Sequence, residues 1–120
     1  PMSHTLRIND IEVANPFKAR YANFIGGEWV PPIDGQYFVD STPVTGKPLC
    51  EIPRSNGKDV DAALDAAHAA KAAWGKTSPA QRANLLNKIA DRIEAHLGTI
   101  ALAETLDNGK PIRETTHADI

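Results

Sequence analysis

An alanine-rich stretch in the middle of the chain constrains the fold more than any other feature. Eight of the twelve residues from Ala62 to Ala73 are alanine, the residue with the highest helix propensity. Asn56 is a favourable N-cap, Asp59 is placed to complement the positive helix end, and Gly75 is a natural stop. Because alanine side chains are thin, another helix or a sheet can approach closely. The sequence therefore predicts a packing helix from about residue 56.

A second helix has clear start and stop signals. Ser78 can cap it, Pro79 suits the first helical position, and Gln81 completes a capping box. Asn108-Gly109 supplies a stop, and Pro111 opens a further helix. Apolar residues recur at helical spacing along one face, namely Leu86, Ile89, Ile93, Leu97 and Ile100.

The length of this second helical pattern is a problem for a small domain. One helix over residues 79–107 would be about 43 Å long at about 1.5 Å per residue. A compact domain of this size is only about 35 Å across. Two interpretations stay open: the helix breaks near Gly98, or its apolar face is covered by protein outside this sequence. The sequence also ends within a helix-like stretch, which favours a part of something larger.

The first half of the sequence is different in character. Residues 1–20 are mixed and mostly polar, and they are interpreted as a loosely held arm. Residues 21–55 are rich in Pro and Gly and carry short apolar runs. Gly26-Gly27 between two such runs predicts a tight hairpin turn. The predicted organisation is an arm over 1–20, short strands over 21–55 and a helical segment over 56–120.

Composition excludes several classes of function. Thirteen Lys and Arg against fifteen Asp and Glu give a net charge of −2, so binding to nucleic acid through phosphate neutralisation is not expected. The sequence has no apolar run of membrane-spanning length and no signal-peptide pattern. A single cysteine, Cys50, cannot form an internal disulfide, which fits a reducing compartment. We therefore expect a cytoplasmic protein without nucleic-acid or membrane partners.

Most candidate motifs have ordinary structural interpretations. Residues 70–77 nearly match a phosphate-binding loop, but they end a helix and lack the first glycine. Cys50 lies in an apolar strand and is interpreted as a small core residue. The four histidines lack zinc-site spacing. Asp107 is unusual, because a negative charge at a helix C-terminus is disfavoured unless a cation or donor offsets it. Solvent exposure of Asp107 is the simpler interpretation.

The order of these signals resembles the aldehyde dehydrogenase superfamily. The hairpin sequence Asn23–Trp29 resembles the opening hairpin of these enzymes, and Thr42–Lys47 is similar to their N-P-x-T-G turn, with Thr42 where Asn is usual. The two helices also match, and Glu104–Pro111 is the most specific string. Asn15–Tyr21 is similar to the bacterial acetaldehyde dehydrogenase branch. The resemblance covers about residues 21–120.

The resemblance implies an α/β fold, the N-terminal part of a Rossmann-like coenzyme domain in which short strands precede two or three long helices. It implies an enzyme that uses NAD or NADP to oxidise a small aldehyde to a carboxylic acid through a cysteine thiohemiacetal, in homo-oligomers. The family's nucleophile, general base and coenzyme contacts are not in this sequence, so no catalytic or cofactor-binding residue is assigned. Cys50 does not inherit the role of nucleophile. The chain is predicted to be scaffold and inactive alone.

One site carries over from the resemblance. Many members bind a monovalent cation near the N-P turn and the string that contains Asp107. The corresponding residues here are Asp40, Ser41 and Asp107. The alternative hypothesis is that the chain is not part of an enzyme. It would then be a free-standing helical interaction or oligomerisation module, whose apolar helix face docks another protein or pairs with itself.

Overall fold

The structure of the chain is a computed structural model that describes residues 5–8 and 11–120. Short strands precede the helices, as predicted. The strands are β1 (Thr5–Ile8), β2 (Ile11–Ala14), β3 (Asn23–Ile25), β4 (Glu28–Val30), β5 (Tyr37–Ser41) and β6 (Pro48–Pro53). The helices are α1 (Gly57–Gly75), α2 (Pro79–Ala95), α3 (Leu97–Asn108) and α4 (Ile112–Glu114), and a π-helical turn covers Thr115–Asp119.

The strands form three separate two-stranded sheets, β1 with β2, β3 with β4 and β5 with β6. The chain divides into two compact units. The first combines Pro1–Tyr21, Val39–Ile52 and Ile93–Ile120, and the second combines Ala22–Phe38 and Pro53–Arg92. Among the described residues, no helix is both long enough and apolar enough to cross a bilayer.

Both long helices begin where the sequence predicts. At the start of α1, the Lys58 N–H donates to Asn56 Oδ1 (3.0 Å) and the Asn56 N–H donates to the carboxylate of Asp59 (2.9 Å). The buried Asp59 also accepts from the Ile33 N–H (2.8 Å), which fastens the preceding loop to the helix start. At the start of α2, the Ser78 N–H donates to Gln81 Oε1 (2.9 Å) and the Gln81 N–H donates to Ser78 Oγ (3.1 Å). Local capping chemistry therefore fixes both boundaries.

The predicted long helix is broken. The α2 helix ends at Ala95 and α3 starts at Leu97, while His96 between them has φ −110° and ψ 17°. The break lies two residues before Gly98, so the first of the two interpretations is confirmed. It does not remove the second, because no residue of α2, all of which the structure describes, is buried.

The first unit has a small apolar core. Leu49 and Cys50 of β6 and Leu106 of α3 are fully buried and form one cluster. Partly buried apolar side chains surround it, namely Leu6, Phe17, Tyr21, Ile52 and Leu102. Backbone bonds add to this packing, since the Tyr21 N–H donates to Glu51 O (3.0 Å) and the Glu51 N–H donates to Ala19 O (2.9 Å).

The N-terminal segment contains two short strands. Strands β1 and β2 pair in antiparallel fashion, with Leu6 opposite Val13, and Leu6 and Phe17 pack against the cluster. These two strands were not predicted from the sequence. They are short, and their packing partners lie far away in the chain, so no local signal marks them. Residues 1–4 and 9–10 of the predicted arm lie outside the described residues.

The second unit contains the predicted hairpin. Strands β3 and β4 pair with Phe24 opposite Trp29, and the two rings meet edge to face with centroids 5.0 Å apart. Gly26 and Gly27 form the turn with φ of 63° and 81°, a backbone conformation that glycine adopts without steric cost.

The end of α3 depends on a glycine. Gly109 has φ 81°, and its N–H donates to Thr105 O (2.8 Å). A Cβ at this position would lie 3.3 Å from Cγ of Pro43, in the turn between β5 and β6. Gly109 therefore both ends α3 and lets the turn between β5 and β6 approach the end of that helix closely.

Replacing glycines in and after α3 provides a matched pair of variants. Gly109→Ala is expected to lower the free energy of unfolding by about 1–2 kcal/mol, because an L-residue is strained at positive φ and the new methyl meets Pro43. Gly98→Ala is expected to raise it by up to about 1 kcal/mol, because alanine favours the helix and nothing lies within 4 Å of the added carbon. Urea unfolding followed by circular dichroism measures both. Equal effects of the two substitutions would contradict this account of the helix end.

Candidate functional site

Two carboxyl groups meet in the first unit. Asp40 lies near the end of β5 and is half-buried, whereas Asp107 lies in the last turn of α3 and is exposed. Burial, a hydrogen bond to Asp107 and the charge of Asp107 together raise the pKa of Asp40 to about 6. A carboxyl group with a pKa in this range lacks enough positive charge or donated hydrogen bonds to hold its ionised form. The structure therefore brings together two of the three predicted cation-site residues.

Local structure explains this juxtaposition. The turn that follows β5 is closed by the Thr42 N–H donating to Lys47 O (3.0 Å) and the Gly46 N–H donating to Thr42 O (2.8 Å). Thr42 is buried, and its Oγ1 accepts from the Val44 N–H (3.2 Å). Thr42 thus helps to close this turn through both its backbone and its side chain. The following Pro43 packs close to Gly109, which keeps the end of β5 beside the end of α3.

Ser41 is the third predicted residue. It is exposed at the end of β5, and nothing in the described part of the chain joins its side chain to the two carboxyls. In residues 5–8 and 11–120, no group of three or more His, Cys, Asp or Glu side chains is arranged to hold a metal ion. The geometry therefore supplies a pair of acids rather than a cage of side chains.

Cys50 lies close to the acidic pair, in a position that the sequence did not reveal. It lines a cavity of about 420 Å³ together with Phe17, Tyr21, Asp40, Ile52, Ile100, Ala103, Glu104 and Asp107. Burial, followed by the charges of Asp40 and Asp107, raises the pKa of the Cys50 thiol to about 11. The thiol is therefore protonated at neutral pH. Because the thiolate is the nucleophilic form, Cys50 is a core residue and not a reactive one.

The acidic pair makes stability depend on pH. The pKa of Asp40 is about 6 in the folded chain and 3.8 ordinarily, so the folded state binds more protons between these values and the free energy of unfolding falls as the pH rises from about 4 to about 6. Asp40→Asn is expected to remove the fall in the free energy of unfolding that Asp40 causes over this pH range. Asp91→Asn, at an exposed position of α2, is expected to leave that fall unchanged. Melting temperatures at pH 4.5 and 7.5 and constant ionic strength measure the difference. The same pH dependence in Asp40→Asn and the unmodified chain would contradict the raised pKa.

Comparison with known sequences gives a consistent result. The model of the Aldehyde dehydrogenase family matches residues 29–120. Acetaldehyde dehydrogenase 2 of Cupriavidus necator is 63% identical over 113 residues, which cover 94% of this chain and 22% of that protein. An acetaldehyde dehydrogenase of Pseudomonas aeruginosa is 61% identical over 104 residues, which cover 87% of this chain and 21% of that protein.

Solved structures agree with these sequences. One match is the crystal structure of PnpE in complex with nicotinamide adenine dinucleotide, with a TM-score of 0.81 and 34% sequence identity. The match covers 83% of this chain and 20% of the PnpE chain. A putative aldehyde dehydrogenase from Burkholderia cenocepacia matches 85% of this chain and 21% of its own with a TM-score of 0.81 and 35% identity. The chain thus spans about a fifth of the length of the relatives that it matches.

The match to the family model covers the turn after β5 and all three long helices. The turn and α3 are the features that hold the acidic pair in place. The match also accounts for the α/β fold with short strands before helices. The chain belongs to the aldehyde dehydrogenase family.

Proposed function

We propose that this chain is the structural N-terminal part of an NAD(P)-dependent aldehyde dehydrogenase, in which residues outside this sequence oxidise an aldehyde to a carboxylic acid. The observation that carries the proposal is the unequal coverage of the match, which takes in 94% of this chain but only 22% of the Cupriavidus necator enzyme. The bound dinucleotide would accept the hydride, and this chain would supply none of the reacting groups. The protonated, buried Cys50 supports a role as scaffold.

The finer features of the proposal follow the named relatives. Two of them are acetaldehyde dehydrogenases, which favours a small aldehyde as the substrate, and PnpE binds NAD, which favours the same cofactor or its phosphate. We place the enzyme in the cytoplasm as a homo-oligomer. Residues 1–20 would form an N-terminal arm, 21–55 the strand region and 56–120 a helical segment of the coenzyme-binding domain.

A chimeric enzyme tests the proposed activity. The 113 matched residues of the Cupriavidus necator enzyme are replaced with those of this chain, and reduction of NAD or NADP with acetaldehyde is followed by absorbance. The chimera is expected to retain at least a tenth of the relative's kcat/KM, and the 120-residue chain alone is expected to show none. Cys50→Ala in the chimera is expected to remain active, because the thiol is not a nucleophile.

Two outcomes would contradict this proposal. Turnover by the 120-residue chain alone would place reacting groups within it. A folded chimera without dehydrogenase activity would favour the free-standing interaction module instead.

The acidic pair supports a cation site within the same enzyme. Asp40 and Asp107 lie together, and burial of Asp40, its hydrogen bond to Asp107 and the charge of Asp107 raise the pKa of Asp40 to about 6. Positive charge beside the pair would favour the ionised form of Asp40. A bound monovalent cation would supply that charge, and carbonyl oxygens near Asp40 and Ser41 would complete its shell. The residues present therefore fit the group, and its role would be to hold the end of β5 against the end of α3.

Alkali cations of the same charge test this cation site against simple salt screening. In the chimera, potassium or sodium chloride is expected to raise the melting temperature at pH 7.5 by a few degrees over an equal concentration of tetramethylammonium chloride, because a large organic cation does not fit between two carboxylates. Asp107→Asn is expected to abolish the difference, and Asp91→Asn to preserve it. Identical melting temperatures in all three salts would contradict the proposed cation site.

A further inference from the structure

Two identical Asn-Gly-Lys sequences lie at opposite ends of helices. Asn56–Lys58 begins α1, Asn108–Lys110 ends α3, and all six residues are exposed. An asparagine followed by glycine can modify itself, because the glycine nitrogen can attack the side-chain amide carbon and close a five-membered ring, and no glycine side chain blocks the approach. Since the two local sequences are the same, a large difference in their reactivity has to come from the fold.

The side-chain amides of the two asparagines are held in the same way. Asn56 Oδ1 accepts from the Lys58 N–H (3.0 Å), and Asn108 Oδ1 accepts from the Lys110 N–H (2.8 Å). The two Nδ2 groups donate to carboxylates, namely those of Asp34 and Glu104. An N–H that donates to the amide oxygen stabilises the negative charge that develops there when the amide carbon is attacked. Both sites therefore have an oxyanion donor, and the donor does not distinguish them.

The attacking nitrogens differ. The Gly109 N–H donates to Thr105 O (2.8 Å) and closes the end of α3. Gly57 is the first residue of α1, a position whose N–H has no partner within a helix, and no hydrogen-bond acceptor for it is found in the described part of the chain. Asn56 itself lies outside the helix, with φ −132° and ψ −167°. Attack by the Gly57 nitrogen therefore breaks no backbone hydrogen bond, whereas attack by the Gly109 nitrogen breaks the one that ends α3.

The charge distribution of the helices acts in the same direction. The attacking amide loses its proton, so negative charge develops on its nitrogen as the new bond forms. The partial positive charge at the start of α1 stabilises that negative charge, whereas the partial negative charge at the end of α3 opposes it. The carboxylates near Asn56 are compensated, since Asp34 is paired with Lys58 (3.0 Å) and Asp59 accepts from two backbone N–H groups.

We propose that Asn56 is a site of spontaneous deamidation and that the fold protects Asn108 from the same reaction. The Gly57 nitrogen forms a bond to Cγ of Asn56, and its proton passes through solvent to Nδ2. The Cγ–Nδ2 bond then breaks and releases ammonia. Water opens the resulting succinimide at either carbonyl and leaves aspartate or isoaspartate. The reaction consumes one water and needs no oxidant, reductant or enzyme.

The modification changes the start of α1. Either product places a carboxylate where Asn56 Nδ2 donates to Asp34, so repulsion between like charges replaces a hydrogen bond. Isoaspartate also adds a methylene to the main chain before Gly57, which displaces the cap from the Lys58 N–H that it accepts from. The residue that caps α1 is thus also the point at which this end of the helix ages chemically.

Peptide mapping tests the proposal without depending on activity. The chimera described above contains both sequences and is incubated at pH 7.5, and conversion of each asparagine to aspartate and isoaspartate is followed by mass spectrometry. In the folded chimera, Asn56 is expected to convert about tenfold faster than Asn108, because only Gly109 has to give up a backbone hydrogen bond. In urea, where the fold is absent, the two asparagines are expected to convert at similar rates.

A matched pair of glycine variants identifies the attacking nitrogen. Gly57→Ala is expected to slow the conversion of Asn56 by about tenfold, because the added methyl hinders the attack. The fold accepts this methyl, since nothing lies within 4 Å of the added carbon. Gly98→Ala, which is remote from both sequences and equally open, is expected to leave both rates unchanged. Conversion of Asn56 at the same rate in Gly57→Ala would overturn the proposal.

A second protein keeps the test independent of the folding of the chimera. In the Cupriavidus necator enzyme, only the residues aligned with 56–58 and 108–110 are made Asn-Gly-Lys, and the same difference in rates is expected. Equal rates at the two positions in this folded enzyme, or faster conversion at position 108, would overturn the proposal. The expected rates in a chimera without dehydrogenase activity would support the proposal and contradict only the proposed function.

Discussion

The apolar contact between β6 and α3 is the interaction on which the first unit depends. Leu49 and Cys50 from the strand meet Leu106 from the helix, and all three are fully buried. Together with Ala101 they are the buried hydrophobic residues of the described chain. Burial of side chains of this size stabilises a fold by about 1.5–3 kcal/mol each. These residues come from segments more than fifty positions apart in the chain, so the contact holds the first unit together across a long stretch of sequence.

That contact has an electrostatic consequence. Holding β6 and its partner strand β5 against α3 places Asp40 beside Asp107. Burial, followed by the hydrogen bond to Asp107 and the charge of Asp107, raises the pKa of Asp40 to about 6. Apolar packing therefore maintains an arrangement of charges that would not form by itself. Asp107 also lies at a helix C-terminus, the end of a helix at which cations are favoured. The unfavourable pair is a reason to propose a cation there, and the same pair, with burial, keeps Cys50 protonated.

The helices of the second unit have complete caps but bury little apolar surface. Capping at Asn56 and Ser78 is complete, and Asp59 ties a loop to the start of α1. Yet Val60 and Leu64 of α1 remain exposed, as do Leu86 and Ile89 of α2. These helices have well-formed starts but little apolar burial, and tertiary packing supplies most helical stability in proteins. Membership of a family whose members are about five times longer explains why such surfaces occur.

The sequence by itself determined the local elements. Capping residues set the starts of α1 and α2, and glycines set the hairpin turn and the end of α3. The helix too long for the domain left two interpretations open, and the break that one of them predicts occurs at His96. The meeting of Asp40 with Asp107 could be predicted only from the family resemblance, and the strands β1 and β2 and the place of Cys50 beside the acids were not predicted at all. These features follow from the tertiary structure, because they depend on contacts between segments far apart in the chain. Caps and turns act over three or four neighbouring residues and leave a signal in the sequence, whereas a pair of residues brought together by a distant core leaves none that one sequence can show.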